Sequence, residues 1–230
     1  MPYKNLFFDL DDTIWAFSLN ARDTYEEMYH KYKYDRFFDS FEHYYTLYNR
    51  RNMELWAEYA NGQVTKDELN RQRYFYPLEA VGAGDADLAR AYEKDALFTI
   101  PTKSKLMPHA RETLEYLSSK YNLYILSNGF KELQSRKMQS SNIDKYFKKI
   151  VLSDDIGVLK PWPEIFHFAL SATQSELRDS LMIGDSWEND IIGAAKVGMH
   201  QVFYNPRGFA ERPFAPTYQI TDLKELKDLL

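Results

Sequence analysis

The sequence predicts an α/β protein: an open, doubly wound parallel sheet with an all-helical segment inserted after the first strand. Short apolar runs recur along the chain, and helical patterns separate most of them, which is the alternation expected of βα units around a parallel sheet. One interval, from about residue 17 to about residue 99, breaks the alternation because it contains only helix-period patterns. With 230 residues, 44% of them hydrophobic, the chain can bury a substantial core.

Six apolar runs are the candidate strands, and the last of them is the weakest. They cover residues 4–10, 123–127, 149–153, 181–185, 200–204 and 217–220. The helices predicted between them cover residues 108–120, 131–140, 163–171 and 190–197. Gly198 directly follows the last helix, where a glycine can adopt the left-handed conformation that ends a helix.

The interval after the first strand is predicted to be a helical bundle. Large side chains recur there at helical spacing, with one gap at Asn52: Phe41, Tyr45, Tyr48, Leu55 and Tyr59. Asn61-Gly62 predicts the end of this helix, Thr65 followed by Glu68 has the form of a capping box, and a further helix is predicted at about 85–97. Of the 37 aromatic residues, 18 lie in this interval, and we expect most of these to form its core. The alternative is that one or two face the sheet and stack on a flat substrate.

Composition narrows the classes of function. The net charge is −5, so no basic field holds polymeric nucleic acid or an anionic membrane, and the charge of an anionic substrate must be met locally. The absence of cysteine excludes disulfides and thiol chemistry and fits an intracellular protein. We see no signal peptide and no apolar run near the ~20 residues that span a bilayer, so we expect a cytoplasmic protein.

An acidic cluster follows the first candidate strand. The apolar run Leu6-Phe7-Phe8 leads directly into Asp9, Asp11 and Asp12. Asp9 and Asp11 are two positions apart and can therefore share one face where the strand ends. The carboxyl ends of strands are also where open α/β sheets bind ligands.

Other polar residues follow other strands of the predicted sheet. Ser127 and Asn128 end the second strand, Asp185 follows the fourth, and Asp190 comes soon after. Lys160 lies in a loop before a proline, which biases it toward an extended conformation. Because parallel strands end at the same edge of the sheet, we expect these side chains to gather there.

Clustered carboxylates without histidine or cysteine indicate a hard cation, and we predict Mg²⁺. Simpler interpretations remain open for single residues. Asp12 can be only a turn residue, and Asp190 can be either a favourable charge at a helix start or a group behind the metal. Ser127 alone would be a turn hydroxyl and Lys160 alone a solvated charge, whereas their placement together favours a site.

Four segments resemble the motifs of the haloacid dehalogenase superfamily, in its phosphatase branch. They are Asp9-Leu10-Asp11-Asp12-Thr13, Ser127, Lys160-Pro161, and the run from Gly184-Asp185-Ser186 to Asn189-Asp190. The resemblance spans nearly the whole chain and implies a Rossmann-like core with strand order 5-4-1-2-3. It also implies that the helical insertion is the family's cap, so that residues 1–16 and 100–230 form the core domain and residues 17–99 the cap domain.

Further segments are similar to the bacterial pyrimidine 5′-nucleotidases of this superfamily. They are Leu55-Trp56 through Tyr59, Asn61-Gly62, Thr65, and residues 127–130, 157–161 and 215–218. This similarity implies a small phosphorylated substrate, a nucleoside 5′-monophosphate, as the partner of the protein.

The resemblance implies the chemical roles of the site residues. Asp9 would be the nucleophile that forms an aspartyl-phosphate, and Asp11 would protonate the leaving alkoxide and then activate water. Ser127 and the amides around Asn128 would donate to phosphoryl oxygens. Lys160 would neutralise phosphate charge and orient Asp9.

The resemblance also implies a metal set of Asp9, Asp11, Asp185 and Asp190. Mg²⁺ would lie among the carboxylates of Asp9 and Asp185 and the backbone carbonyl of Asp11. Asp190 would hold metal-bound water or Lys160 rather than the ion itself.

Several alternatives share part of this pattern. A sugar-phosphate phosphatase or a phosphosugar mutase has the same motifs. A 2-haloacid dehalogenase uses a similar nucleophile, but it lacks the acidic residue two positions later and needs no metal, so Asp11 argues against it. A receiver domain gathers similar residues but places its acceptor aspartate on a later strand. Binding of phosphorylated ligands without turnover is disfavoured by the intact pair Asp9 and Asp11.

Overall fold

The computed structural model describes residues 3–208 and 212–230, and its centre is a six-stranded parallel sheet. The strands are β1 (Asn5–Phe8), β2 (Asn122–Ser127), β3 (Lys149–Leu152), β4 (Ser180–Gly184), β5 (His200–Tyr204) and β6 (Tyr218–Ile220). Their order across the sheet is β3-β2-β1-β4-β5-β6. Read from the opposite edge of the sheet, strands β1 to β5 have the predicted order 5-4-1-2-3. The sheet differs from that expectation by one added edge strand, β6, which pairs with β5.

The helices lie between the strands and in the interval after β1. They are α1 (Phe17–Lys31), α2 (Phe41–Ala60), α3 (Lys66–Ala80), α4 (Ala86–Thr99), α5 (Ala110–Ser118), α6 (Lys131–Ser140), α7 (Pro163–Thr173), a π-helical turn (Trp187–Ile192) that continues as α8 (Gly193–Lys196), and α9 (Leu226–Leu229). Gly198 has a φ of +78° after α8, as predicted for a glycine that ends a helix.

The central strand β1 is buried on both faces. Leu6, Phe7 and Phe8 are all fully buried, as expected of a parallel sheet covered by helices on both sides. In the register of the sheet, Phe8 lies opposite Ile125 of β2 and Ile183 of β4. The three strands therefore end at nearly the same level, and the residues that follow them are neighbours.

The helix predicted at residues 190–197 begins earlier than expected. The π-helical turn begins at Trp187, because Ser186 is its N-cap and accepts a hydrogen bond from the Asn189 backbone at 3.2 Å. Asp190 consequently lies inside the turn. It is still an acidic residue of the first turn, so its interpretation as a favourable charge at a helix start stays a prediction.

The chain divides into two compact units, one of residues Met1–Ser18 with Lys103–Leu230 and one of residues Leu19–Thr102. The first unit contains the sheet. The assignment of residues 1–16 and 100–230 to a core domain and of residues 17–99 to a cap domain stays a prediction. No helix in the described parts of the chain is both long enough and apolar enough to cross a membrane.

The second unit contains α2, α3, α4 and most of α1. Side-chain caps begin three of these helices: Ser40 accepts from the His43 backbone, Thr65 from Glu68 and Asp85 from Leu88. Many of its aromatic side chains are buried, among them Tyr25, Tyr29, Tyr34, Phe38, Phe41, Tyr44, Tyr48, Tyr74 and Tyr92. These nine are half of the eighteen aromatic residues between residues 17 and 98, so the core of the unit is rich in aromatic side chains as expected, but fewer of them are buried than the sequence predicted.

Candidate active site

Two neighbouring strands bring the first two site residues together. Asp9 directly follows β1, and its backbone N–H donates to the carbonyl of Ile183 in β4 at 2.9 Å. Asp185 directly follows β4. The hydrogen bonds between β1 and β4 thus continue as far as Asp9, next to the end of β4. For this reason Asp9 and Asp185 are close in space although they are distant in sequence.

Three carboxylates converge at this edge of the sheet. Asp9, Asp185 and Asp190 each offer one oxygen, and these oxygens all lie within 4.8 Å of one another. Asp9 is 8% exposed and Asp190 is fully buried. Burial raises the pKa of Asp9 well above its ordinary value, and the charges of Asp190 and Asp185 add to the rise against the opposing effect of Lys160. Burial, together with the charge of Asp190, raises the pKa of Asp185 to about 7.

Lys160 is the buried counter-ion of the cluster. Its Nζ donates to Oδ1 of Asp9 at 2.7 Å, to Oδ1 of Asp190 at 2.6 Å and to the carbonyl of Leu126 at 2.9 Å. Burial by itself would lower the pKa of Lys160, but Asp190 and Asp9 outweigh it and raise that pKa. The three bonds use all three ammonium hydrogens, so Lys160 orients Asp9 and would have to release a partner to reach a phosphoryl oxygen.

The side chain of Asn128 holds the backbone of Lys160. Its Nδ2 donates to the Lys160 carbonyl at 2.9 Å, and its Oδ1 accepts from the Lys160 N–H at 2.8 Å. This pair of bonds fixes the loop that delivers the lysine. The predicted contribution of Asn128 to substrate binding therefore falls on its backbone amide, because its side chain is already engaged.

Asp190 is held at both of its oxygens. Oδ1 accepts from Lys160, and Oδ2 accepts from the backbone N–H of Ser186 at 3.0 Å. Gly184 makes room for it, since a Cβ at Gly184 would lie 2.2 Å from Oδ2 of Asp190. These contacts suit a group that supports Lys160 from behind the cluster, as the sequence predicts.

Thr13 also contacts the candidate site, although the sequence pattern predicted no role for it. Its hydroxyl donates to Oδ1 of Asp185 at 2.9 Å and accepts from the Asp185 backbone N–H at 3.0 Å. Thr13 is fully buried, so this pair of bonds fixes the Asp185 carboxylate. The neighbouring Asp12 accepts from the backbone and the hydroxyl of Ser18, which fits its interpretation as a turn residue.

The side chain of Asp11 lies in a different ion pair from the three clustered carboxylates. Its two oxygens accept from Nζ of Lys137 at 2.8 and 2.9 Å. Gln134 donates to Oδ2 of Asp11 at 3.0 Å and to the hydroxyl oxygen of Ser127 at 2.7 Å. Sequence reasoning missed Lys137 and Gln134. The available signal was their spacing of three on the helix that directly follows Ser127.

The donor set fits a hard divalent cation. Every candidate ligand is a carboxylate or carbonyl oxygen, and the cluster contains no histidine or cysteine. Two ammonium groups leave the region with a formal charge of −2, counting Asp9, Asp11, Asp185, Asp190, Lys137 and Lys160. One Mg²⁺ would neutralise that charge.

Known proteins are similar to this chain over most or all of its length. A family model described as a haloacid dehalogenase-like hydrolase matches residues 3–198, and the chain belongs to that family. Pyrimidine 5′-nucleotidase YjjG of Escherichia coli (strain K12) is 29% identical over 233 residues, covering 100% of this chain and 99% of its own. These matches confirm the resemblance to the superfamily and to its nucleotidase branch.

Two further similarities bear on the chemistry. A structure of YfnB from Bacillus subtilis bound to magnesium has a TM-score of 0.89 and 26% identity, covering 100% of this chain and 99% of its own. (S)-2-haloacid dehalogenase 4A of Burkholderia cepacia is 34% identical over 197 residues, which is 80% of each protein. The relatives of this chain therefore include one named as a pyrimidine 5′-nucleotidase and one named as a dehalogenase.

Removal of the Asp185 charge is expected to stabilise the metal-free protein increasingly as the pH rises from about 4 to about 7. The pKa of Asp185 rises from 3.8 to about 7 on folding. Within this window the folded chain keeps a proton that the unfolded chain has released, so the wild type loses stability with rising pH. Asp185→Asn has no ionisable group at this position, so it does not lose stability with rising pH for this reason. Urea unfolding in chelator at several pH values measures the difference between the two proteins.

Excess Mg²⁺ is the matched comparison for this experiment. An ion bound to Asp185 would replace the proton, so it should stabilise the wild type more at the upper end of the window than at the lower end. A stability difference between Asp185→Asn and the wild type that does not change with pH would contradict the prediction.

Proposed function

We propose that the protein is a Mg²⁺-dependent phosphomonoester hydrolase that acts through an aspartyl-phosphate on Asp9. The observation that carries the proposal is the convergence of Asp9 with Asp185 and Asp190, within 4.8 Å, around the buried ammonium of Lys160. Lys160 bonds to Oδ1 of Asp9 and so fixes the direction of the other oxygen, Oδ2. A carboxylate held in one orientation suits in-line attack on phosphorus.

The groups that would hold the ion are the carboxylates of Asp9 and Asp185 and the backbone carbonyl of Asp11, with Asp190 behind them. When bound, the ion supplies positive charge to the phosphoryl oxygens and relieves the repulsion among the carboxylates. The magnesium-bound structure of the relative YfnB supports this choice of cation.

The chain's own residues account for the two halves of the reaction. Asp9 attacks phosphorus while the bond to the leaving alkoxide breaks, and Asp11, which must carry a proton at this stage, gives that proton to the alkoxide. Asp11, now ionised, takes a proton from a water molecule. That water attacks phosphorus, which releases orthophosphate and frees the carboxylate of Asp9.

Ser127 and the backbone amides that follow it would bind the phosphoryl oxygens. The Ser127 hydroxyl oxygen already accepts from Gln134 at 2.7 Å and from the Gly129 N–H at 3.1 Å. Its own hydrogen is therefore the one it can offer to an oxygen of the substrate. Donors fixed in this way stabilise charge without reorganising during the reaction.

The substrate we propose is a nucleoside 5′-monophosphate. The full-length similarity to pyrimidine 5′-nucleotidase YjjG supports this choice, together with the segments of the sequence that resemble that branch. A sugar-phosphate phosphatase or a phosphosugar mutase is the alternative within the same chemistry.

A 2-haloacid dehalogenase is the second candidate, because a dehalogenase is among the relatives. Asp11 argues against it, since an acid two positions after the nucleophile serves protonation of an alkoxide, whereas a halide leaves without a proton. The acidic cluster argues against it as well, since a halide reaction has no phosphate charge for a cation to meet.

Hydrolysis of p-nitrophenyl phosphate is expected to require both Asp9 and the cation. Asp9→Asn should lower kcat by at least about a thousandfold, because the amide cannot act as the nucleophile. Chelator should abolish activity, and added Mg²⁺ should restore it. Release of p-nitrophenol measures both effects.

Asp12→Asn is the matched control for this experiment, because its carboxylate bonds to Ser18 rather than to the cluster. It should keep nearly full activity. Activity that survives Asp9→Asn would contradict the assigned nucleophile, and turnover of a 2-haloacid in chelator would support the dehalogenase instead.

Nucleoside monophosphates are expected to give the highest kcat/KM in a panel that also contains hexose phosphates and triose phosphates. Released phosphate measures hydrolysis, and chromatography of the sugar detects a moved phosphate. A wide preference for a sugar phosphate would contradict the nucleotidase assignment while leaving the phosphatase chemistry intact. Retention of phosphate on the sugar would indicate a mutase.

A further inference from the structure

Lys137 is a buried cation that the proposed chemistry leaves without a role. It lies on α6, and its side chain is only 3% exposed. Its Nζ donates to both oxygens of Asp11, at 2.8 and 2.9 Å. Both oxygens of the predicted proton donor are thus held by one ammonium group.

Two aromatic rings lie beside the ammonium group of Lys137. Its Nζ lies 4.9 Å from the ring centre of Trp15 and 5.0 Å from that of Phe17. An ammonium group loses much of its hydration in such a place, and the faces of aromatic rings repay only part of that loss. Its carboxylate partner is Asp11, so the placement of the lysine is specific to that residue.

Gln134 links the same carboxylate to the predicted phosphate-binding hydroxyl. It lies one helical turn before Lys137 and donates both to Oδ2 of Asp11, at 3.0 Å, and to the hydroxyl oxygen of Ser127, at 2.7 Å. One face of α6 therefore sets the distance between the group that protonates and the group that binds phosphate.

We propose that Lys137 is a positioning residue that aims the carboxyl group of Asp11 at the oxygen of the leaving group. This inference rests on the proposed phosphatase function and adds a residue to it. A carboxyl group turns easily about its Cβ–Cγ bond, and two hydrogen bonds from one ammonium fix that rotation. Proton transfer depends steeply on such alignment.

Leaving groups of different basicity separate this role from a purely structural one. p-Nitrophenolate is a weak base and leaves without protonation, whereas an alkoxide needs a proton from Asp11. The quantity to compare is kcat/KM, because it covers only the steps through the transfer of phosphate to Asp9 and excludes the later hydrolysis.

Lys137→Met should lower kcat/KM for the best alkyl phosphate of the panel at least about tenfold more than for p-nitrophenyl phosphate. Lys131→Met is the matched control on the same helix, because Lys131 is exposed and pairs with Asp155 instead; it should change neither value. Equal losses on the two esters, or no loss, would overturn the inference.

A double variant tests whether Lys137 acts through Asp11. In an Asp11→Asn background, Lys137→Met should not change the ratio of the two kcat/KM values any further. A further change would overturn the inference. If Lys137→Met does not fold, Lys137→Gln can replace it, because glutamine keeps an amide donor for Asp11. The ratio of kcat/KM for the two esters should then change in the same direction but by a smaller factor.

A protein that is not a phosphatase would give a different result in these assays. Wild-type protein that hydrolyses neither ester in the presence of Mg²⁺ would overturn the phosphatase assignment and this inference with it. Wild-type activity on both esters with an unchanged ratio in Lys137→Met would overturn this inference alone.

Discussion

The candidate site depends on the hydrogen bonds that the buried ammonium group of Lys160 donates to two carboxylates. The ammonium group bonds to Asp9 and Asp190 together, and without it these two carboxylates would face each other inside the protein without the charge of the lysine between them. Removing one partner of such a network leaves a buried charge unpaired, which is far more costly than losing an exposed pair. The loop that carries Lys160 is in turn fixed by Asn128 at the end of β2.

A second buried lysine, Lys137, pairs with the carboxylate of Asp11. Lys137 takes Asp11 out of the cluster, and the predicted nucleophile and the predicted proton donor are thereby held by separate cations. Asp9 and Asp11 are only two residues apart in sequence, but the proposed mechanism requires different surroundings for them. Asp9 must attack phosphorus, whereas Asp11 must exchange protons. Thr13 fixes Asp185 in the same region. The formal charge that remains is what a divalent cation would balance.

The sequence predicts those parts of the site that follow from sheet topology. Asp9 and Asp185 meet because β1 and β4 are neighbours that end at one level, and an apolar run followed by an aspartate is visible without coordinates. The roles of Thr13, Gln134 and Lys137 were not predictable in this way, because they depend on which face of a turn or helix points to the site. The start of the helix at Trp187, ahead of Asp190, depends on capping by Ser186. The short strand β6, by contrast, was predicted as the weakest of the six candidate strands, and it pairs with β5 at the edge of the sheet.

Anomalous diffraction from crystals grown with Mn²⁺ in place of Mg²⁺ shows whether Asp9 and Asp185, delivered by two neighbouring strands, share one divalent ion. We expect one anomalous peak per chain within coordination distance of both carboxylates. A peak bound to only one of them, or none at this edge of the sheet, would contradict this expectation.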